Sequence, residues 1–296
     1  MSFPAVRKAV IPAAGFGTRF LPFTKSVPKE LIPLVDKPVI QYVVEEAAAS
    51  GITDILLVIS SDKEPIIRHF NPVPELERRL EERGKTDFLA EVRSVSHLAK
   101  IHYVCQQELN GLGDAVAQAA SFVGNEPFAV LLGDTVMRSD TDRPVVGQLT
   151  DVFARTGSSV VALEEVPLER VSRYGIADGR EVEPGVFKID RMVEKPSPES
   201  APSRLAFAAR YVFTPEIFDA LARTGRGKNN EVQLTDAMQK LLDTGSMYGW
   251  RVQGKRFDIG SKTGFLKGTV EFALRRPEFR DEFAAFLRET VAKMES

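Results

Sequence analysis

The stretch KAVIPAAGFGTRFLPFTKSVPKEL, Lys8 to Leu31, joins a short apolar run to a loop with two close glycines and then to cations interleaved with prolines. The run at 8–14 has the uninterrupted, β-branched character of a strand buried on both faces. Gly15 and Gly17 let backbone approach a ligand and expose N–H groups, which phosphate oxygens require. A dinucleotide fingerprint needs a third glycine at position 20, where Phe20 stands, and no G-x-x-x-x-G-K-[ST] pattern is present either. Pro22 and Pro28 prevent a helix from starting right after the glycines, so no helix dipole serves the anion; the two prolines are expected to hold the segment extended. Arg19 offers a planar fork and Lys29 a compact charge. The loop therefore reads either as an ordinary glycine-rich turn with surface lysines or, with Arg19 and Lys29 converging, as a wrap around a phosphorylated ligand. Lys25 is left open between phosphate and solvent.

Similar strand-like runs follow at 54–60, 101–105, 128–134 and 158–166, and helical patterns closing on glycine fall between them at 38–51, 113–124 and 144–157. This alternation predicts a mostly parallel, doubly wound sheet, whose ligands sit beyond the carboxyl ends of the strands. The second half, with strand-like segments at 185–196, 205–213 and 250–260, predicts a mixed sheet layered onto the first. The segment PELERRLEERGK mixes its charges and reads as a solvated helix. Phe279, Phe283, Phe286, Leu287 and Val291 recur at helical spacing, a face to be buried either on the same chain or between subunits.

Composition narrows the function classes. With 296 residues, 43% of them hydrophobic, the chain is long enough for a large core, and 39 basic against 41 acidic residues give no summed positive field for nucleic acid. One cysteine excludes an intramolecular disulfide and, with three histidines, argues against structural zinc, which fits a reducing cytoplasm. No apolar run reaches the ~18 residues of a membrane span.

Other candidates lie at strand ends. Asp134, in LLGDT, reads equally as a cap of the next element or as a cation ligand. Asp258, in RFDIGS, repeats the pattern of strand, Asp, Gly and helix start; two such carboxylates fit magnesium, which takes one or two together with substrate phosphates. Glu194 and Lys195, in VEKP, would point to opposite faces of a strand, so joint contact with a ligand requires the backbone to turn there; otherwise they are an exposed charge pair. His69, His97 and His102 belong to no motif.

Taken in order, the segments at 11–52 (IPAAGFGTRF through EEAAASGI), NGLGDAV (110–116), LLGDT (131–135), YGI (174–176), VEKP (193–196), NEVQLTDAM (230–238) and FDIGSK (257–262) resemble the bacterial UTP–glucose-1-phosphate uridylyltransferases, or UDP-glucose pyrophosphorylases, of the sugar-nucleotidyltransferase superfamily. TKSVPKE, the insert at 62–100 and EVQLTDA favour this branch over the thymidylyltransferases. The resemblance implies a Rossmann-like, glycosyltransferase-A-type α/β fold: a mixed, mostly parallel central sheet flanked by helices, with a smaller added sheet and a C-terminal helix. It implies one nucleotidyltransferase domain over 1–265, with a nucleotide-binding half (1–160, helical insert near 62–100) and a sugar-phosphate-binding half (161–265), then a helical extension over 266–296.

By resemblance, Ala13, Ala14, Gly15, Gln106 and Gly111 hold uracil and ribose, and Gly17, Thr18, Arg19 and Lys29 match the triphosphate positions. Asp134 and Asp258 match Mg2+ ligands; Gly175, Glu194 and Lys195 match the sugar-phosphate site. Arg19, Lys29, Asp134 and Lys195 are the catalytic group. The implied partners are UTP, glucose 1-phosphate, UDP-glucose and pyrophosphate, in a cytoplasmic homo-oligomer, dimer or tetramer, without nucleic acid or membrane. Two positions depart from the family: Asp114 replaces a usual histidine, and Thr135 replaces the second aspartate of a usual G-D-D.

Overall fold

A computed structural model describes residues 3–294, with Lys228 by its backbone alone. The chain begins with β1 (Lys8–Pro12), then the glycine loop and a two-strand turn of β2 (Pro33–Leu34) and β3 (Lys37–Pro38). Helix α1 (Val39–Ala49) leads to β4 (Asp54–Ile59), and α2 (Glu64–Phe70), α3 (Pro74–Glu82) and α4 (Thr86–Val95) precede β5 (Lys100–Cys105). Next come α5 (Leu112–Ala117), α6 (Ala120–Val123), β6 (Phe128–Leu131), β7 (Thr135–Ser139), α7 (Val145–Thr156) and β8 (Ser159–Glu165). The second half runs β9 (Gly175–Glu183), β10 (Val186–Glu194), β11 (Leu205–Phe213), α8 (Ile217–Ala222), α9 (Leu234–Thr244), β12 (Met247–Arg251), β13 (Gly254–Asp258), α10 (Lys262–Ala273) and α11 (Arg280–Met294).

A nine-stranded sheet in the order β5-β4-β1-β6-β11-β8-β12-β10-β9 forms the centre. The neighbours β5–β4, β4–β1, β1–β6 and β8–β12 are parallel and the rest antiparallel. The sheet is thus mixed, with a parallel block of β5, β4, β1 and β6 in the first half and one further parallel pair, β8–β12, among antiparallel neighbours, and the expectation of a mostly parallel sheet is corrected. Nor is the second half layered onto the first, because β11 inserts beside β6 and carries the later strands into the same sheet. Sequence alternation misses this because β9 and β10 are joined through a turn at Gly185 (φ 78°), too short for a parallel crossover. The strand-like run 250–260 is also two elements, since β12 ends at Arg251 and β13 turns away to pair with β7 as the smaller added sheet.

Helices cover both faces. Val43, Val44 and Ala47 of α1 and Leu149 and Phe153 of α7 pack on one side. Val116, Leu221, Met238 and Leu241 pack on the other. Gly157 caps α7 in the left-handed region (φ 64°), its N–H on Phe153 O at 2.8 Å. Helix α3 buries no residue, as a solvated helix should. Helix α11 buries none either, and Phe286 and Val291 are 58% and 53% exposed. Burial of that stripe on the same chain is therefore not what the structure shows.

Candidate active site

Two adjoining cavities open beyond the carboxyl ends of β1 and β6. The larger, about 550 Å³, is walled by Ala13 to Thr18, Lys29, Gln106 and Gly111. The smaller, about 270 Å³, is walled by Tyr174, Gly175, Glu194, Lys195, Arg256 and Asp258. Asp134 belongs to both walls and so stands at their junction.

The loop's local geometry places the cations there. Gly17 is left-handed (φ 67°), and a Cβ on it would lie 3.0 Å from Lys29 Cβ, so only glycine lets the chain fold back this closely. The segment is not extended, as the prolines led us to expect. Three short 3₁₀ turns cover Thr18–Phe20, Phe23–Lys25 and Lys29–Leu31, closed by Phe20 N–H on Gly17 O (2.9 Å), Lys25 N–H on Pro22 O (3.1 Å) and Leu31 N–H on Pro28 O (2.9 Å). The prolines supply the carbonyls on which the second and third turns close. Phe20, where a dinucleotide loop would have glycine, packs edge-on against Phe265 of α10 (6.0 Å, 84°) and anchors the wrap to the far end of the chain. Lys25 is exposed and lines neither cavity.

Lys29 Nζ donates to Asp134 Oδ2 at 2.6 Å, with 20% and 25% of the two side chains still open to solvent. Burial alone would raise the Asp134 carboxyl; the Lys29 charge and hydrogen bond, a backbone N–H and Arg19 outweigh it and hold it below the usual carboxylate value. Burial likewise opposes the charge on Lys29, and Asp134 with Glu30 overcomes it, so that ammonium is held above its ordinary value. Arg19 is exposed and spans to Gly260 O at 3.4 Å, beside Asp258. A Cβ on Gly260 would sit 2.8 Å from Asp134 Oδ2 and 3.1 Å from Asp258 Oδ1, so both carboxylates face one point that only glycine leaves open. The helix start expected after Asp258 is α10, capped by Ser261, whose Oγ accepts from Gly264 N–H at 3.1 Å. Among the described residues no cluster of three or more metal-ligating side chains exists. Two hard carboxylates around one point, with a lysine as resident counter-cation, fit an ion that completes its shell with phosphate oxygens and water.

In the smaller cavity the chain does turn at Lys195, which is left-handed (φ 45°). Lys195 Nζ thereby reaches Glu194 Oε1 at 3.0 Å instead of leaving on the opposite face. Lys195 N–H is held by Tyr174 O (3.0 Å), and Gly175, paired with Glu194, allows Phe207 to approach within 2.4 Å of where a Cβ would be.

Several residues of the site were not singled out from the sequence. Lys63, in the insert ahead of the segment expected as a solvated helix, is 2% exposed; it donates to Gly15 O (2.6 Å) and to Glu30 Oε2 (2.7 Å), tying the glycine loop to the residue after Lys29. Thr235 Oγ1 donates to Glu194 Oε2 at 2.6 Å. Arg256 lies over the Tyr174 ring (4.5 Å) and donates to Glu164 at 2.6 Å. Arg210, fully buried, pairs with Glu46 (2.7 Å) and donates to Thr135 O (2.9 Å), fixing the backbone just after Asp134. One signal was available: Arg256 precedes Asp258 by two on a strand and so shares its face. No histidine lines either cavity.

With this geometry in hand, comparison with known proteins is decisive. The family model described as nucleotidyl transferase matches residues 8–273. The chain is 49% identical to the UTP–glucose-1-phosphate uridylyltransferase of Bacillus subtilis, over 98% of this chain and 99% of that protein. The chain belongs to the nucleotidyltransferase family, on its UTP–glucose-1-phosphate uridylyltransferase branch. Solved relatives agree. The nucleotidyltransferase superposes on a UDP-glucose pyrophosphorylase complexed with UDP-glucose (TM-score 0.83, 40% identity, 92% of this chain and 100% of that one). It also superposes on the UTP-bound enzyme of Acinetobacter baumannii (TM-score 0.89, 38% identity, 96% and 99% covered). No helix among the described residues is long and apolar enough to cross a membrane.

Proposed function

We propose that the two cavities hold UTP and glucose 1-phosphate and that uridylyl transfer takes place at their junction, giving UDP-glucose and pyrophosphate. The observation that carries this is the convergence of Lys29, Asp134 and Asp258 between a glycine-lined cavity and one lined by Glu194 and Lys195. In this reading Ala13, Ala14, Gly15, Gln106 and Gly111 receive the nucleoside, and Gly17, Thr18, Arg19 and Lys29 the triphosphate. Glu194 accepts from sugar hydroxyls, and Lys195, with the backbone at Gly175, binds the sugar phosphate.

A phosphate monoester loses its second proton at a pKa of ~6, so the nucleophilic oxygen is already anionic at neutral pH. No general base is needed. The work left to the protein is to line the oxygen up with the α-phosphorus and to neutralise charge, which suits a site of glycine, lysine, arginine and aspartate. Lys29 and Arg19 steady the departing pyrophosphate. Asp134 and Asp258 would hold Mg2+, which when bound supplies Lewis-acid neutralisation of phosphate charge. Residues 1–160 and 161–265 then serve nucleotide and sugar phosphate respectively, in a cytoplasmic enzyme. The exposed stripe of α11, in the extension 266–296, covers a second copy in a homo-oligomer, and light scattering of wild type against Phe286→Glu tests that contact. A panel of UTP, dTTP and CTP against glucose and galactose 1-phosphates, scored by pyrophosphate release, tests the reaction. Turnover led by UTP with glucose 1-phosphate is expected; a different preferred pair overturns the assignment.

A further inference from the structure

Asp114, whose presence near Gln106 no motif explains, decides which end of that glutamine faces the larger cavity. Gln106 follows β5, is 4% exposed and lines the cavity wall. Its Nε2 donates to Asp114 Oδ2 at 2.6 Å. The two ends of an amide look alike in shape, so orientation has to come from partners. An ionised carboxylate only accepts, hence the end of Gln106 that meets Asp114 is the NH2. The opposite atom, Oε1, receives no hydrogen bond among the described residues and is the one left for a ligand.

An acceptor in that place suits a ring N–H. Uracil and thymine carry one between two carbonyls, whereas cytosine has a lone pair there beside an amino group. The wall supplies the matching donors, for the N–H groups of Ala14, Gly15 and Gly111 donate to no backbone carbonyl among the described residues. A glutamine without its carboxylate partner could turn over and offer NH2 to the cytosine edge. A buried donor or acceptor left facing its like is disfavoured roughly five- to 150-fold.

We propose that Asp114 is a specificity-determining positioning residue: by accepting the Gln106 NH2 it presents Oε1 to the base and selects a nucleoside triphosphate with a ring N–H between two carbonyls. The proposal rests on the larger cavity taking the nucleotide.

The test is the ratio of kcat/KM for UTP to that for CTP, with glucose 1-phosphate, in wild type, Asp114→Asn and Asp114→Ala. Asparagine keeps the size of aspartate but can donate or accept, so it releases the orientation without opening space. We expect both variants to lower the ratio at least tenfold, through loss on UTP and gain on CTP, with the KM for glucose 1-phosphate unchanged. A ratio within twofold of wild type in folded Asp114→Asn overturns the role of Asp114 while leaving the nucleotide reading intact. A wild-type chain that does not prefer UTP to CTP overturns that reading and the proposal with it.

Discussion

Replacing Lys29 with methionine removes the charge at the centre of the site while keeping most of the side chain's length. In the structure its Nζ lies 2.6 Å from Asp134 Oδ2, and about a fifth and a quarter of the two side chains remain solvent-accessible. Loss of one electrostatic stabiliser in an enclosed site costs ~2.7–4 kcal/mol of barrier, so turnover should fall ~10²–10³-fold. Stability should fall too, because Asp134 keeps its burial and loses its partner. Breaking a fully buried pair costs ~3–5 kcal/mol; with this much solvent access ~1–3 kcal/mol is the fitting scale, since water reaches the orphaned carboxylate. The pH dependence has a definite sign. The Asp134 carboxyl is depressed in the folded state, so its contribution is full above the ordinary carboxylate pKa and is lost as pH falls through the folded value. The stability gap between wild type and Lys29→Met is therefore widest near neutrality and narrows in acid. Pyrophosphate release measures the first effect and denaturant unfolding at several pH values the second. A folded Lys29→Met enzyme with turnover within threefold of wild type would refute the reasoning.

Lys63→Met should destabilise by ~3–5 kcal/mol, since Glu30 at 1% exposure loses its hydrogen-bonded cation and keeps only the Lys29 ammonium at 4.0 Å, and the double change with Glu30→Leu should recover most of that stability but not the KM for UTP. Urea unfolding and steady-state kinetics together check this. Thr235→Val should raise the KM for glucose 1-phosphate about tenfold through loss of a charge-assisted hydrogen bond, leaving the KM for UTP unchanged, and Thr235→Ser should restore it. His69 is held below its ordinary pKa by burial, so the unfolded chain binds the proton more readily; stability should fall as pH drops below ~6.5, and His69→Gln should flatten that limb in thermal melts. Chelation with EDTA should abolish turnover, and Asp134→Ala or Asp258→Ala should abolish Mn2+ binding measured by electron paramagnetic resonance in the presence of UTP.

Much of this was legible in the sequence because the relevant signals are local. The apolar runs of β1, β4 and β6 announce buried parallel strands, and Asp134 and the glycine loop lie where a parallel strand end should carry ligands, whereas Asp258 reaches the same point from the end of β13, antiparallel to β7. Even the turn at Lys195 followed from strand alternation once Glu194 and Lys195 were asked to face the same way. What the sequence hid depends on partners remote along the chain. Lys63 looks like any lysine of a charged insert until Glu30 and Gly15 are folded against it. Arg210 sits in an apolar strand where a charge looks misplaced, and Glu46 on α1 with the carbonyls of Thr135 and Ala209 make its burial tolerable. The expectation of a second sheet layered onto the first fails for a similar reason, since nothing in the pattern of β11 says that it inserts beside β6.

The central claim is that the junction of the cavities transfers a uridylyl group to a sugar phosphate, and pyrophosphate release from UTP tests it most directly. With glucose 1-phosphate and Mg2+ present, wild type should release one pyrophosphate per UDP-glucose formed, and Asp134→Ala, still folded, should be slower by ~10²-fold or more. UDP-glucose formation by Asp134→Ala at the wild-type rate, or no pyrophosphate from wild type, would contradict the account.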